Sequence, residues 1–217
     1  MIITRNRRIV MVIYILNIIF INTIVADDSI HNKIDPHDLS SFGIRYLDHL
    51  EYAVPESELG NATEKNPNPR FDPKNYIKAI INKYNAPISI IFIDDEVGYG
   101  IFAAEDIKKG QMIGEYTGIV KRVNFSNKRE DFDYAWGFPP PTKYIIDSKD
   151  AGNFTRFINH SNRPNVDMVY VPINNRWHLA YVANQDIKKG QQLLANYGKP
   201  YWQGRGIRPY DLIRCSH

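Results

Sequence analysis

Arg156-Phe157-Ile158-Asn159-His160-Ser161-Asn162-Arg163-Pro164-Asn165 is the stretch of this 217-residue chain on which the reading of the fold turns. An apolar dipeptide, Phe157-Ile158, stands directly before Asn159 and His160, and Ser161, Asn162 and Pro164 bend the chain after them. The dipeptide draws the backbone into a core, so the donors and acceptors of Asn159 and His160 are offered from a rigid wall. That suits the holding of a polar ligand. The plainer alternative is an Asn-His-Ser turn whose histidine is a satisfied core residue.

Working outward, the length supports one sizeable core and not two. Arg5, Arg7 and Arg8 precede an apolar run over 9–25 that ends at Ala26-Asp27-Asp28, the order of a secretory signal peptide with a small residue at the cut. The run lies between the lengths of a cleaved signal and a spanning helix, so 1–26 reads as a signal peptide or an N-terminal membrane anchor. Cleavage would remove three of the 27 basic residues and none of the 24 acidic ones, leaving a balanced chain. Lys108-Lys109 and Lys188-Lys189 read as solvated turns, no basic stripe with interleaved aromatics occurs, and no direct nucleic-acid contact is expected. A single cysteine, Cys215, excludes an intramolecular disulfide framework and a cysteine-rich zinc cluster, and no metal site is expected.

Residues 27–70 read as an extension and linker, with a short helix expected over 42–54 and a Pro- and Asn-rich connection after it. Asp72-Pro73 is a cap and first-turn pair for a helix running to Tyr84, with Tyr76, Ile77, Ile80 and Ile81 on one face and Pro87 ending it. That assigns 71–87 to a helix packing on the domain. From Ile88 onward short β-branched and aromatic segments (88–93, 112–116, 119–123, 143–146, 166–171, 177–182) alternate with turn residues, which predicts a mainly β fold of small antiparallel sheets. Asp106-Ile107-Lys108-Lys109-Gly110-Gln111 recurs as Asp186-Ile187-Lys188-Lys189-Gly190-Gln191, and two copies mark equivalent strand-turn-strand units rather than a solenoid.

The run 156–165 resembles the Arg-Phe-x-Asn-His-Ser-x-x-Pro-Asn signature of SET-domain protein lysine methyltransferases, departing at Asn162, where that family often has cysteine. Gly98-Tyr99-Gly100-Ile101-Phe102-Ala103, followed by Ile113-Gly114-Glu115-Tyr116-Thr117-Gly118, resembles the opening of such a domain. Phe132-Asp133-Tyr134-Ala135-Trp136 resembles the stretch with its cofactor-contacting tyrosine, and Leu194-Ala195-Asn196-Tyr197-Gly198 the one with its catalytic tyrosine. The resemblance covers 88–205, leaving 206–217 as a tail, and implies small sheets closed by a knot-like C-terminal segment.

What the resemblance implies for the site is specific. Tyr197 and Tyr116 would be catalytic. Gly98, Tyr99, Gly100, Tyr134, Arg156, Asn159, His160, Tyr201 and Trp202 would bind S-adenosylmethionine, and Tyr116, Phe157 and Ala195 would line the substrate channel. The partner would be a protein with an exposed lysine, a histone tail first among candidates, and a membrane only if 1–26 is retained. Ala195, where many relatives carry Phe or Tyr, would leave room for di- or trimethylation. The reaction, displacement at a sulfonium methyl by a neutral amine, needs alignment and a dry aromatic channel rather than covalent help.

Three other classes bear weighing. A binding-only module would keep the glycines and lose the reactive tyrosine, yet Tyr197, Asn159 and His160 are all present. A membrane-tethered adaptor would use the N-terminal segment as an anchor and the domain as a docking surface, and would pull down a partner without methyl transfer. A hydrolase built on His160 and Ser161 lacks an oriented acid, and adjacent turn residues poorly supply a nucleophile-base bond. The export signal adds a condition. In a eukaryotic secretory lumen Asn61, Asn124, Asn153 and Asn159 would be glycan acceptors, and a glycan on Asn159 would destroy the site, which points to a bacterial exported effector acting in a host cell.

Overall fold

The computed structural model describes residues 34–59, 62, 70–123, 133–138, 143–199 and 201–202. The expected signal or anchor, the tail and Cys215 lie outside them. In chain order a 3-10 turn (Ser40–Phe42) leads to β1 (Arg45–Tyr46), β2 (Glu51–Tyr52) and a second 3-10 turn (Glu56–Glu58). A third (Pro73–Tyr76) runs into a short α-helix (Ile77–Ile81). Then come β3 (Ile88–Asp94), β4 (Gly98–Ala103), β5 (Met112–Glu115), β6 (Ile119–Arg122), β7 (Ala135–Gly137), β8 (Tyr144–Asp147) and β9 (Ala151–Gly152). A 3-10 turn (Phe154–Phe157) precedes β10 (Asn159–His160), β11 (Val166–Ile173), β12 (Arg176–Ala183) and β13 (Leu194–Ala195).

The fold is mainly β and built of small sheets, as the segment pattern requires. The order is β11-β12-β5 in one, β2-β6-β8-β7 in another, and β3-β4 in a third. The longer ladders are antiparallel, whereas the two-residue pairs β1-β9, β2-β6 and β10-β13 are parallel. Asn174 and Asn175, both at positive φ, close the β11-β12 hairpin in the two-residue turn whose twist matches its strands. Pro172 falls on β11, an edge strand, where its missing N–H leaves no ladder bond unmade.

Two local expectations are corrected. Residues 42–54 form no helix. Their apolar positions, with Leu39, instead place Ile44, Leu47 and Leu50 in the core, while β1 pairs with β9 and β2 with β6. A helix-like spacing of apolar residues served an irregular segment with two edge pairings, so tertiary contact overrode the local pattern. The helix over 72–84 is shorter than expected. Asp72 does cap it, accepting the Lys74 N–H at 3.0 Å, but Lys83 adopts φ 53° and ends it four residues before Pro87. Lys83 N–H donates to Ile80 O and Tyr84 N–H to Ala79 O, the paired bonds of a Schellman stop with lysine in the place of glycine. Ile81 therefore faces outward, 62% exposed. Tyr76 and Ile80 pack on Val169, Val171, Ala180, Val182 and Met112, so the helix covers the outer face of the β11-β12-β5 sheet.

The main core lies on the other side of that sheet and includes Ile101, Ile113, Val120, Ile146, Phe154, Ile158, Leu179 and Leu193. Ile107 and Ile187, one from each copy of the repeat, exchange both backbone hydrogen bonds at 2.8 Å and are 1% exposed. The register of β12 on β5 slips between Tyr181 and Val182. Bulges of this kind re-aim side chains beside functional sites.

Candidate active site

The run 156–165 is pinned at both ends before it presents anything. Asn153 caps the turn Phe154–Phe157 by accepting Thr155 N–H at 3.1 Å, and its amide donates to Glu115 O at 2.8 Å. Phe154 and Ile158 anchor the turn in the core. At the far end Asn165 clamps the incoming strand, accepting Leu194 N–H and donating to Gln192 O, each at 2.8 Å. Between these pins β10 lies parallel to β13, Asn159 opposite Leu194 and His160 opposite Ala195.

That parallel pair brings Tyr197 against His160. The Tyr197 N–H donates to His160 Nδ1 at 3.1 Å, so Nδ1 is an acceptor and the neutral ring carries its proton on Nε2. The Tyr197 hydroxyl donates to Ile158 O at 2.8 Å. Asn159 donates to Tyr99 O at 2.9 Å, tying β10 to β4. Gly100 leaves the space for this, because a Cβ there would stand 2.5 Å from Gln192 Nε2 and 3.1 Å from Asn159 Nδ2. Gly98 has φ 75°, which a side chain would strain.

Gly98, Tyr99, Asn159, His160 and Tyr197 border an open cavity of about 910 Å³, within the range usual for small-molecule sites. Of the residues assigned from sequence, Gly98, Tyr99, Tyr134, Arg156, Phe157, Asn159, His160, Tyr197, Tyr201 and Trp202 line it. Both charge signs are present: Lys149 and Arg156 beside Glu96, Asp133 and Asp150. Arg156 is committed to the framework, donating to Ser148 O at 2.8 Å and Lys149 O at 3.1 Å while stacking 3.8 Å over the Tyr134 ring. Burial pulls its pKa below the ordinary arginine value. His160, Tyr197, Tyr201 and Trp202 form an aromatic cluster, His160 edge-on to Trp202 at 4.8 Å.

Tyr116, Gly100 and Ala195 do not line that cavity. Tyr116 is 2% exposed and its hydroxyl donates to Tyr134 O at 2.5 Å. Its ring meets Tyr181 and Trp136 edge-on at 6.2 and 6.4 Å, and those two meet each other at 6.2 Å. Burial, and then the nearby Tyr197 hydroxyl, hold the Tyr116 pKa far above an ordinary phenol. Burial, followed by Tyr116 and Tyr197, does the same for Tyr181. Tyr197 thus lines the cavity wall and stands close enough to Tyr116 and Tyr181 to influence both. Phe157, expected beside Tyr116 in the channel, instead packs with Phe42 and Tyr99 on the cavity side.

Sequence reasoning missed Tyr181, Trp136 and Phe42. Trp136 was in view beside Tyr134 without a role. Tyr181 stands in an apolar strand, and nothing local separates it from the other tyrosines. Phe42 lies outside every motif.

Residues 98–198 match the SET domain family. The histone-lysine N-methyltransferase EZH2 of Chaetomium thermophilum is 35% identical over 112 residues, covering 46% of this chain and 7% of that protein. The N-lysine methyltransferase KMT5A-A of Danio rerio is 28% identical over 140 residues, covering 59% of this chain and 40% of that protein. This chain therefore spans less than half the length of either relative. A crystal structure of ATXR5 in complex with a histone H3.1 mono-methylated on R26 has the same fold, with a TM-score of 0.60 at 21% identity over 80% of this chain and 86% of that one. The run 156–165 and Tyr197 both fall inside the matched stretch, and over 98–198 this chain is similar to the SET domain family.

Proposed function

We propose that the chain is a protein-lysine N-methyltransferase that uses S-adenosylmethionine, with a histone tail as its leading substrate. The observation that carries the reading is the position of Tyr197, which borders the open cavity, is held by its hydroxyl on Ile158 O and its N–H on His160, and lies close enough to Tyr116 and Tyr181 to act on both electrostatically. One side suits a cofactor and the other a desolvated amine.

The cavity's chemistry fits the cofactor. Carboxylates and cations stand together as a zwitterion requires, and aromatic faces are available for a purine. The buried Trp202 Nε1 has no hydrogen-bond partner among the described residues and would be satisfied by an acceptor on a bound molecule. Asn159, His160, Tyr134 and Trp202 would hold it. S-adenosylmethionine, when bound, supplies a methyl group on a cationic sulfonium.

The chain's own residues orient and desolvate. The Tyr197 hydroxyl donates a hydrogen bond to Ile158 O and the Tyr116 hydroxyl donates one to Tyr134 O, so each oxygen keeps the capacity to accept. Such acceptors align an amine or a polarised methyl group. Tyr116 is neutral at physiological pH because burial raises it, so it positions and takes no proton. The enclosed rings of Tyr116, Trp136 and Tyr181 exclude water and disfavour an ammonium, which favours the nucleophilic amine. The ammonium sheds its proton to solvent on entering, so no residue of the enclosed group has to accept it.

The names of the two relatives support a lysine in a protein, and one supports a histone. The test is mass spectrometry of core histones and of a cell lysate incubated with the chain and labelled cofactor. Label on lysine is the expected result, and label on none overturns the reading. We also propose export through residues 1–26 by a route without N-glycosylation, since Asn153 and Asn159 both spend their amides on backbone carbonyls where a glycan would break the site. Amino-terminal sequencing of secreted material, expected to start after Ala26, tests it.

A further inference from the structure

We propose that Phe42, which precedes the matched family segment 98–198, is a cofactor-binding residue and forms an apolar wall of the S-adenosylmethionine site. The inference rests on the methyltransferase reading and extends the binding site to a part of the chain that the family match does not include.

Phe42 borders the same cavity as Asn159, His160, Tyr197 and Trp202. Its ring stands edge-on to Tyr99 at 4.8 Å and tilted on Phe157 at 5.0 Å, both themselves cavity residues. It is the outer member of a three-ring wall whose inner members come from the family motifs. A ring placed so extends an apolar surface that a bound molecule's uncharged part can cover, and it gives up little conformational freedom in doing so.

The segment that carries Phe42 is fixed on both sides. Leu39 is wholly buried and Ile44 is 7% exposed. Gly43, at φ 70°, turns the chain, its N–H donating to Ser40 O at 2.9 Å. Arg45 N–H then donates to Asp150 O at 3.0 Å and Leu47 N–H to Gly152 O at 2.9 Å, so β1 is clipped to the strand before the Asn-His turn. Asp150 itself borders the cavity. The segment is therefore held to the cavity rim by backbone bonds independent of the Phe42 ring, and removing the ring leaves those bonds in place.

The experiment is calorimetry of the full chain with S-adenosylhomocysteine, alongside initial rates at varied S-adenosylmethionine and varied protein substrate. Phe42→Ala is expected to weaken homocysteine-analogue binding by about tenfold or more, comparable to the loss of one aromatic contact. It should raise KM for the cofactor with KM for the protein substrate unchanged. Phe42→Tyr, which keeps the ring, should restore both. If Phe42→Ala lowers the melting temperature too far to assay, Phe42→Gln, which keeps reach and replaces the apolar face with an amide, is expected to weaken binding likewise. Wild-type affinity in the Ala or Gln variant overturns the proposal while leaving the methyltransferase reading intact. Absence of binding by the wild-type chain overturns both.

Discussion

Asp106 and Asp186 each secure the other's turn. Asp106 accepts Lys189 N–H and Asp186 accepts Lys109 N–H, both at 2.9 Å, and each also meets a lysine ammonium of the opposite copy. Gln111 and Gln191 repeat the same bond within their own turns, to Lys108 and Lys188 N–H. The duplicated hexapeptide is thus a two-fold interlock around Ile107 and Ile187. One copy feeds β5 and Tyr116, and the other feeds β13 and Tyr197. The contact thus joins the two turns that lead into the tyrosine-bearing segments.

The interlock makes stability depend on acid. Asp106 is held below the ordinary carboxylate range by Lys188 and then by Lys189 N–H, and Asp186 by Lys109 N–H and then by Lys108. A depressed carboxyl contributes stability that is present above its unfolded pKa and is lost as pH falls through its folded one. Melting temperature should therefore fall as pH drops below about 4. In the double variant Asp106→Ala, Asp186→Ala the neutral-pH value should start lower and this acid limb should flatten. A pH series of melting curves reads both, and an unchanged acid limb would show that these carboxyls do not set it. Both groups are exposed, so added salt should shrink the contribution of the lysine ammoniums.

Tyr197→Phe removes the hydroxyl bonded to Ile158 O and spares the ring contacts to His160 and Tyr201. Methyl transfer should fall at least tenfold, about 1.4 kcal/mol in the barrier, with cofactor affinity little changed. Full activity would remove Tyr197 from the reaction. Tyr116→Phe should act similarly, with a small cost in stability, because Tyr134 O loses the phenol donor and keeps the Ser148 N–H.

Asn159→Ala and His160→Ala should each weaken S-adenosylmethionine binding, since a buried polar partner left unmatched costs about 1–3 kcal/mol. The structure separates them. Asn159→Ala frees Tyr99 O and loosens β10 from β4, whereas His160→Ala frees Tyr197 N–H and loosens the catalytic segment. The histidine variant should therefore lose kcat as well as affinity. Calorimetry with steady-state rates tests this, and equal kcat in both variants would contradict it.

The segment 156–165 could be read from sequence because its chemistry is local: an apolar anchor, two polar presenters and a proline turn lie within ten residues. The strands from Ile88 onward are marked by short β-branched and aromatic runs between turn residues, and the repeat marks two equivalent turns. What the turns do could not be read, since the bonds of Asp106 and Asp186 cross between distant copies. Residues 42–54 misled because buried apolar positions three to five apart look helical, while the β9 and β6 edges that capture them are set far along the chain. Tyr181 and Phe42 reach the site through strand register and a turn at Gly43, neither of which leaves a mark on neighbouring residue types.

Ala195 and Tyr181 together bear on the product. Ala195 is 2% exposed and in register with His160, two residues before Tyr197, so its methyl group stands where a larger side chain would enlarge the wall. Tyr181, on β12 in register with Gly114 of β5, keeps a ring against Tyr116 and a hydroxyl near Trp136. With alanine at 195 and Tyr181 beside Tyr116, the expected product is di- or trimethyl-lysine. Ala195→Phe should lower the final methylation state. Tyr181→Phe, which removes a hydroxyl able to hold the amine or a water, should carry more product to the trimethyl form. A time course by mass spectrometry on a substrate peptide with excess cofactor decides it: wild-type product that stalls at monomethyl-lysine would show that Tyr181 alone closes the site.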